Sequence, residues 1–200
     1  MWVLKIGGSW ITNPNLKTLL KRLEKKRGGK IIIVAGGGCF ADSVRFAYKK
    51  TRMSEKIANT LALKSTEIFS SYMKDINKNL YLTSNKRFKK NFINVWLPSI
   101  TLSKEKSFKK NWNSTSDSIA AWLSKNIKAE GIVFVKSLKK FNKINKLGVL
   151  QKKNIIDKNV STYLKSFKGE IKITGLNILK ILEKNNNWDS CIKDFGDLEL

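Results

Sequence analysis

"IIIVAGGGCFAD", residues 31–42, decides how this chain folds. Its first five positions are apolar and mostly β-branched, with no polar alternation, as in a strand buried on both faces. Three glycines follow, and from about Phe40 the sequence takes on helical period. A buried strand that runs through a tight turn into a helix is the repeating unit of a parallel sheet, whose strands must be joined by crossovers. The start of the chain has the same order. Trp2 to Ile6 reads as a strand, Gly7-Gly8 as its turn, and Leu16, Leu19, Leu20 and Leu23 as a helix entered at Asn13-Pro14 and ended at Gly28-Gly29.

Outward from these two units the alternation continues. Residues 79–83, 93–97, 131–135 and 170–174 read as strands, and Pro98 stops the second of these. Helices are expected from about Ser54 to Met73, Thr115 to Ala129, Asp157 to Phe167 and Leu176 to Lys184. Residues 99–113 read as a polar connection, 137–156 as an irregular basic flap, and "SCIKDF" (190–195) as a final strand. The pattern predicts one α/β domain over residues 1–200, a three-layer αβα sandwich with a mostly parallel central sheet. Ligands of such sheets bind beyond the carboxyl ends of the strands, where both glycine clusters fall.

Composition narrows the chemistry. The 200 residues are 42% hydrophobic and 28% charged, an ordinary globular balance. No apolar run approaches the ~20 residues of a membrane span, and no secretion leader is read, so a cytoplasmic protein without a membrane partner is expected. Cys39 and Cys191 have no metal-ligand spacing. There is no histidine, which removes Ser-His and Cys-His nucleophile pairs and imidazole acid–base catalysis. The net charge of +25 first suggests nucleic acid, with Phe88, Phe92, Phe108 and Trp112 as stacking platforms. Of the 40 basic residues, however, only Arg22, Arg27, Arg45, Arg52 and Arg87 are arginines. Lysine, asparagine and isoleucine share AT-rich codons, and a nucleic-acid reader favours the planar fork of arginine. Codon bias therefore explains the charge better than a nucleic-acid partner does.

Three motifs carry chemistry. "KIGGS" (5–9) sets a lysine in a buried strand beside bare backbone amides, the components of an anion site. "GGG" (36–38) feeds a helix N-terminus, whose dipole favours a phosphate. Gly36-x-Gly38-x-x-Ala41 also fits a dinucleotide fingerprint, but the acid nearest the required spacing, Glu55, falls in a helix. Gly28-Gly29-Lys30 lacks the Ser or Thr of a P-loop. "STSDSIAAWLS" (114–124) opens a helix with Asp117 in its first turn. Its Ser114 or Thr115 could simply cap the helix, or Asp117 could hold active-site lysines.

Taken together, "KIGGS", "GGG", "TSDSIAAWL" and the following "GIVFVKS" resemble the amino acid kinase family over residues 1 to about 138. "MWVLKIGGS", "GGGCFADSVR", "VWLPS" and "NWNSTSDSIAAWLS" are further similar to its small kinases of methanofuran-type cofactor assembly. The resemblance implies an ATP- and Mg²⁺-dependent kinase whose acceptor is a phosphomonoester, an aminomethyl-furan-methyl phosphate. It implies that Lys5 stabilises the phosphoryl group in transfer and that Asp117 orients the catalytic lysine. Gly7, Gly8 and Ser9 would cradle the nucleotide phosphates, Lys136 and Ser137 would contact the nucleotide, and Gly36, Gly37 and Gly38 would face the acceptor. A homo-oligomer is also implied. Rival readings are a kinase acting on a carboxylate or another phosphomonoester, a regulatory module without turnover, and a lysine-rich nucleic-acid binder. The sequence departs from the family pattern at Cys39, where proline is commoner. A later glycine-rich segment with a second lysine is also missing from residues 139–170, where Lys143, Lys146, Lys152 and Lys153 are candidates.

Overall fold

A computed structural model describes residues 1–26 and 30–200, so the expected Gly28-Gly29 helix stop lies outside the described residues. The chain runs β1 (Trp2–Ile6), a 3-10 turn (Gly8–Thr12), α1 (Leu16–Glu24), β2 (Ile31–Ala35), α2 (Gly38–Lys50), α3 (Glu55–Ile76), β3 (Tyr81–Thr83) and β4 (Asn94–Trp96). It continues through α4 (Ser99–Lys104), α5 (Ser116–Asn126), β5 (Gly131–Val135), β6 (Ile144–Lys146), α6 (Leu147–Lys152) and α7 (Val160–Leu164). It ends with β7 (Glu170–Thr174), α8 (Ile178–Lys184), α9 (Trp188–Asp194) and β8 (Gly196–Glu199).

Among the described residues these strands form one eight-stranded sheet in the order β3-β4-β2-β1-β5-β7-β8-β6. Neighbours pair in parallel except β7 with β8, whose register is antiparallel. The mostly parallel α/β expectation therefore holds. Strand order turns around at β1, which lies between β2 on one side and β5 on the other. The crevice at the carboxyl end of β1 is thus the switch point at which open α/β sheets take ligands.

Period-2 alternation sends the central strands into two cores. Trp2, Leu4, Ile6, Ile31, Ile33, Val133 and Val135 pack on one face with α1, α8 and α9. Val3, Ile32, Val34, Ile132 and Phe134 pack on the other beneath Ile119, Ala120 and Leu123 of α5. Lys5 pairs across the sheet with Val34 and Phe134 and shares the second face, so the alternation aims it at α5.

Three segments differ from the sequence reading. The polar connection after Pro98 contains α4, whose first amide, Ser99 N–H, donates to Glu67 Oε1 of α3 at 2.8 Å. A tertiary partner caps that helix, and the local residues do not advertise it. The expected flap at 137–156 contains β6 and α6. Only Asn145 of β6 faces inward, its amide bonded to Asn142 and Asp197 carbonyls, so no apolar alternation marks the strand. "SCIKDF" is mostly α9 rather than a strand: Asn187 Oδ1 accepts from Ser190 N–H at 2.9 Å, and Trp188, Cys191 and Ile192 are buried at helical spacing. The last strand, β8, begins just after it.

Candidate active site

The site gathers at the carboxyl end of β1. Lys5 is the last core-facing residue of that strand on the α5 side, and Gly7-Gly8 then carry the chain over the sheet edge. The first turn of α5 lies above it and brings Asp117 down to the ammonium group. Lys5 Nζ stands 2.8 Å from Asp117 Oδ1. Lys136, the residue directly after β5, reaches the same carboxylate from the neighbouring strand, with Nζ 2.6 Å from Asp117 Oδ2. Asp117 is only 3% exposed, so one buried carboxylate braces two ammonium groups. Burial pushes the Asp117 carboxyl up, but Lys136 and Lys5 outweigh it and hold the group at about 2. For Lys136 burial is the largest influence and the Lys5 charge adds to it. The Asp117 carboxylate only partly compensates, and the ammonium group falls to about 8.

A second carboxylate fixes this arrangement. Asp157, just before α7, accepts from Thr115 N–H at 2.8 Å, Thr115 Oγ1 at 2.7 Å and Ser118 N–H at 3.1 Å, and also from the Ser118 hydroxyl. It therefore satisfies the free amides at the start of α5. Neither Ser114 nor Thr115 caps that helix with its side chain, so simple capping does not explain the "TSD" motif. Asp157 N–H also donates to Asp117 Oδ2 at 3.3 Å. Burial first, and the Asp117 charge second, push the Asp157 carboxyl up.

The two glycine turns form one structure. A Cβ on Gly8 would lie 2.1 Å from Gly38 N, and one on Gly36 would lie 2.3 Å from Gly8 N, so the two backbones touch. Gly38 also has φ +52°, a conformation that glycine adopts without strain. Close approach and positive φ thus account for three consecutive glycines. Gly7 N–H donates to Val135 O at 3.1 Å and Gly36 N–H to Ile6 O at 2.8 Å, which commits both amides to the sheet. Gly8, Ser9, Gly37 and Gly38 remain on the wall of a cleft of about 220 Å³. Lys5, Asp117 and Lys136 line a second cleft of about 510 Å³, closed on one side by residues 154–158. Arg45, Trp112 and Thr115 belong to both walls, so the clefts meet there.

The structure brings together Lys5, Asp117 and Lys136 in one cluster, and Gly8, Ser9, Gly37 and Gly38 beside it. Ser137 is exposed and lines neither cleft. None of Lys143, Lys146, Lys152 and Lys153 lines the lysine-bearing cleft, and the second lysine on Asp117 is Lys136. Phe108 is buried against Tyr163, and Trp112 packs with Tyr48 and Arg45, so these two aromatics are not free stacking platforms. Sequence reading missed Asp157, Arg45 and Asn59 as site residues and named Trp112 only as a stacking platform for nucleic acid. The first turn of α5 offered one clue, a Ser-Thr helix start that can equally be capped by a distant acid.

A doubly wound sheet with a lysine and a glycine turn at its switch point, faced by a helix-borne aspartate, defines the class of anion-handling α/β proteins to which this chain belongs. Residues 1–140 match the amino acid kinase family, and the chain is a member of it. It is 30% identical over 131 residues to the [5-(aminomethyl)furan-3-yl]methyl phosphate kinase of Methanocaldococcus jannaschii. That alignment covers 62% of this chain and 60% of the relative, so the match spans about three fifths of the relative's length. The fold is shared with uridylate kinase from Archaeoglobus fulgidus (TM-score 0.68, 16% identity, covering 91% of this chain and 95% of that one). It is also shared with UMP kinase from Ureaplasma parvum (TM-score 0.67, 14% identity, covering 100% and 98%).

Proposed function

We propose that this chain transfers the γ-phosphoryl group of MgATP to a small phosphomonoester, with [5-(aminomethyl)furan-3-yl]methyl phosphate as the acceptor. The observation that carries this reading is the brace formed by Asp117 on Lys5 and Lys136 in the larger cleft, which adjoins the glycine-lined cleft at Arg45, Trp112 and Thr115. An acceptor phosphate oxygen would attack the γ-phosphorus as the bond to the ADP oxygen breaks. The chain needs no covalent intermediate and no histidine for this, because positioning and charge stabilisation suffice. Lys5 and Lys136, preorganised and shielded from water, would meet the charge that develops on the transferring and leaving oxygens. Gly8 and Ser9 would cradle the nucleotide phosphates, and Gly37 and Gly38, on the wall of the same cleft, would face the acceptor. Gly7 and Gly36 would act by permitting the close approach of the two turns.

Among the described residues no group of three His, Cys, Asp or Glu is placed to hold a metal. Asp117 and Asp157 are both occupied by protein donors. The fitting source of Mg²⁺ is therefore the nucleotide, whose phosphates carry it as part of the substrate. The name of the archaeal relative supports the furan acceptor. The family likeness also favours a homo-oligomer, which light scattering on the purified chain would test.

The direct experiment is a mass-spectrometric assay with ATP, Mg²⁺ and a choice of the furan phosphate, its dephosphorylated alcohol, UMP, isopentenyl phosphate, aspartate and glutamate. The expected product is the furan diphosphate, with little reaction on the alcohol. Phosphorylation of an amino-acid carboxylate alone would remove the acceptor assignment. Lys5→Ala should cost about 2–4 kcal/mol of transition-state stabilisation, the scale of losing one preorganised donor. Wild-type turnover in a normally folded variant would show that Lys5 is not part of the machinery.

A further inference from the structure

The smaller cleft has an unusual wall. Arg45 and Asp42, one turn apart on α2, both line it, with Arg45 Nη1 2.6 Å from Asp42 Oδ1. The guanidinium carbon of Arg45 lies 5.7 Å from the centre of the Trp112 ring. Trp112 Nε1 is buried without an acceptor among the described residues, as are the Nε1 groups of Trp10, Trp96 and Trp188 in the core, and Asn59, a residue only 6% exposed, lines the same wall. Arg45 is also one of five arginines against 35 lysines, so this position keeps the planar fork where the composition favours a point charge.

We propose that Arg45 and Asp42 recognise the acceptor as a zwitterion, Arg45 taking its phosphate and Asp42 its ammonium group, with Asn59 on the same wall. The inference rests on the kinase reading above and gives its acceptor site a charge code. Arg45 belongs to the walls of both clefts, so a phosphate bound to it sits on the side nearer Lys5. Asp42 lines only the smaller cleft, so an ammonium bound there points away from the transfer. In the empty site the two side chains neutralise each other, and a ligand carrying both charges replaces that pair without leaving either one alone. Asn59 then meets a ring heteroatom or a phosphate oxygen.

Isothermal titration of the full chain separates this from the kinase reading. The ligands are the aminomethyl-furan-methyl phosphate, the same ester with methyl in place of aminomethyl, and UMP. The wild-type protein should bind the amine-bearing ester about tenfold or more tightly than the other two, a step of 1.4 kcal/mol. Asp42→Asn should erase the preference for the amine without weakening the methyl ester, whose phosphate then no longer competes with Asp42 for Arg45. Arg45→Ala should weaken both furan esters by a similar factor, and Arg45→Lys should recover only part of the loss. Both side chains are partly exposed, so melting curves should show the variants folded. Equal affinity for the two furan esters in the wild type, or a preference that survives Asp42→Asn, would overturn the clamp. Turnover is scored separately. Amine-selective binding without phosphorylation would retire the kinase reading and leave the clamp, and phosphorylation without selectivity would do the reverse.

Discussion

Asp117 carries two ammonium groups with almost no solvent to help it, so its charge is a structural matter as well as a chemical one. Asparagine at this position would keep the shape and remove the counter-charge of Lys5 and Lys136 together. Breaking a buried pair from one side costs about 3–5 kcal/mol, because the partner charge is left uncompensated. Asp117→Asn should therefore lower both turnover and stability, seen as a reduced midpoint in urea titration. An unchanged midpoint would mean that the two lysines are not charged in the folded protein. The sign with pH follows from the same contacts. The folded value of Asp117, about 2, lies below its ordinary 3.8, so this stabilisation is complete above about pH 4 and is lost as pH falls through about 2. Lys136 answers at the other end of the scale. Its ammonium group titrates at about 8, and if its charge assists transfer, kcat/KM should decline as pH rises through that value. Lys136→Arg keeps the charge over the whole range and should move the decline out of view. A decline that stays near pH 8 in the arginine variant would assign it to another group.

At the scale of elements, α5 has its N-terminus held by a residue 40 positions further along the chain. Asp157 bonds the amides and hydroxyls of Thr115 and Ser118 and so sets the angle at which Asp117 meets the lysines. Asp157→Ala should cost about 0.5–2 kcal/mol, the range for losing a helix cap, and should lower kcat more than it raises KM. Asp157→Asn, which keeps the acceptor oxygen, should restore most of the stability. A loss of stability with unchanged kcat would make Asp157 a cap and nothing more. These contacts also explain what could be read from the sequence. Lys5, the glycine turns and the strands β1, β2 and β5 were legible, since burial on both faces and missing side chains leave marks in a single stretch. Asp117 was visible as a first-turn acid that could hold active-site lysines, but Lys136 was not visible as one of them, because it lies 19 residues away and meets Asp117 only through the β1–β5 pairing. Asp157 read as the start of a helix. Arg45 and Asn59 looked like ordinary helix positions, since a cleft wall built from α2, α3 and the loop before α5 has no sequence period of its own. The elements β6 and α4 were missed for the same reason, as each takes an inward contact or its cap from a distant part of the chain, whereas α9 carries a local cap on Asn187 and was read as a strand.

For the whole molecule, the unexplained quantity is the net charge of +25. Among the described residues only Lys5, Lys26 and Lys172 are buried lysines, so nearly all of the surplus lies at the surface. A surface of separate point charges attracts any polyanion through counterion release, and that attraction falls steeply with salt. The candidate site is different in kind. The side chains of Lys5 and Lys136 are 6% and 11% exposed and held by Asp117, so they sit where mobile ions screen them much less than the surface lysines. The two kinds of lysine should therefore respond differently to salt. A labelled RNA or DNA oligonucleotide should bind weakly at about 50 mM salt and be released by about 200 mM. MgATP, followed by thermal protection over the same range, should lose little of its effect, because Lys5 and Lys136 are largely buried and such charges are screened much less than exposed ones. An oligonucleotide bound tightly and selectively at physiological salt would contradict the codon-bias account of the composition and revive the nucleic-acid reading. Parallel loss of both ligands would place the nucleotide on the lysine shell instead of between Lys5 and Lys136.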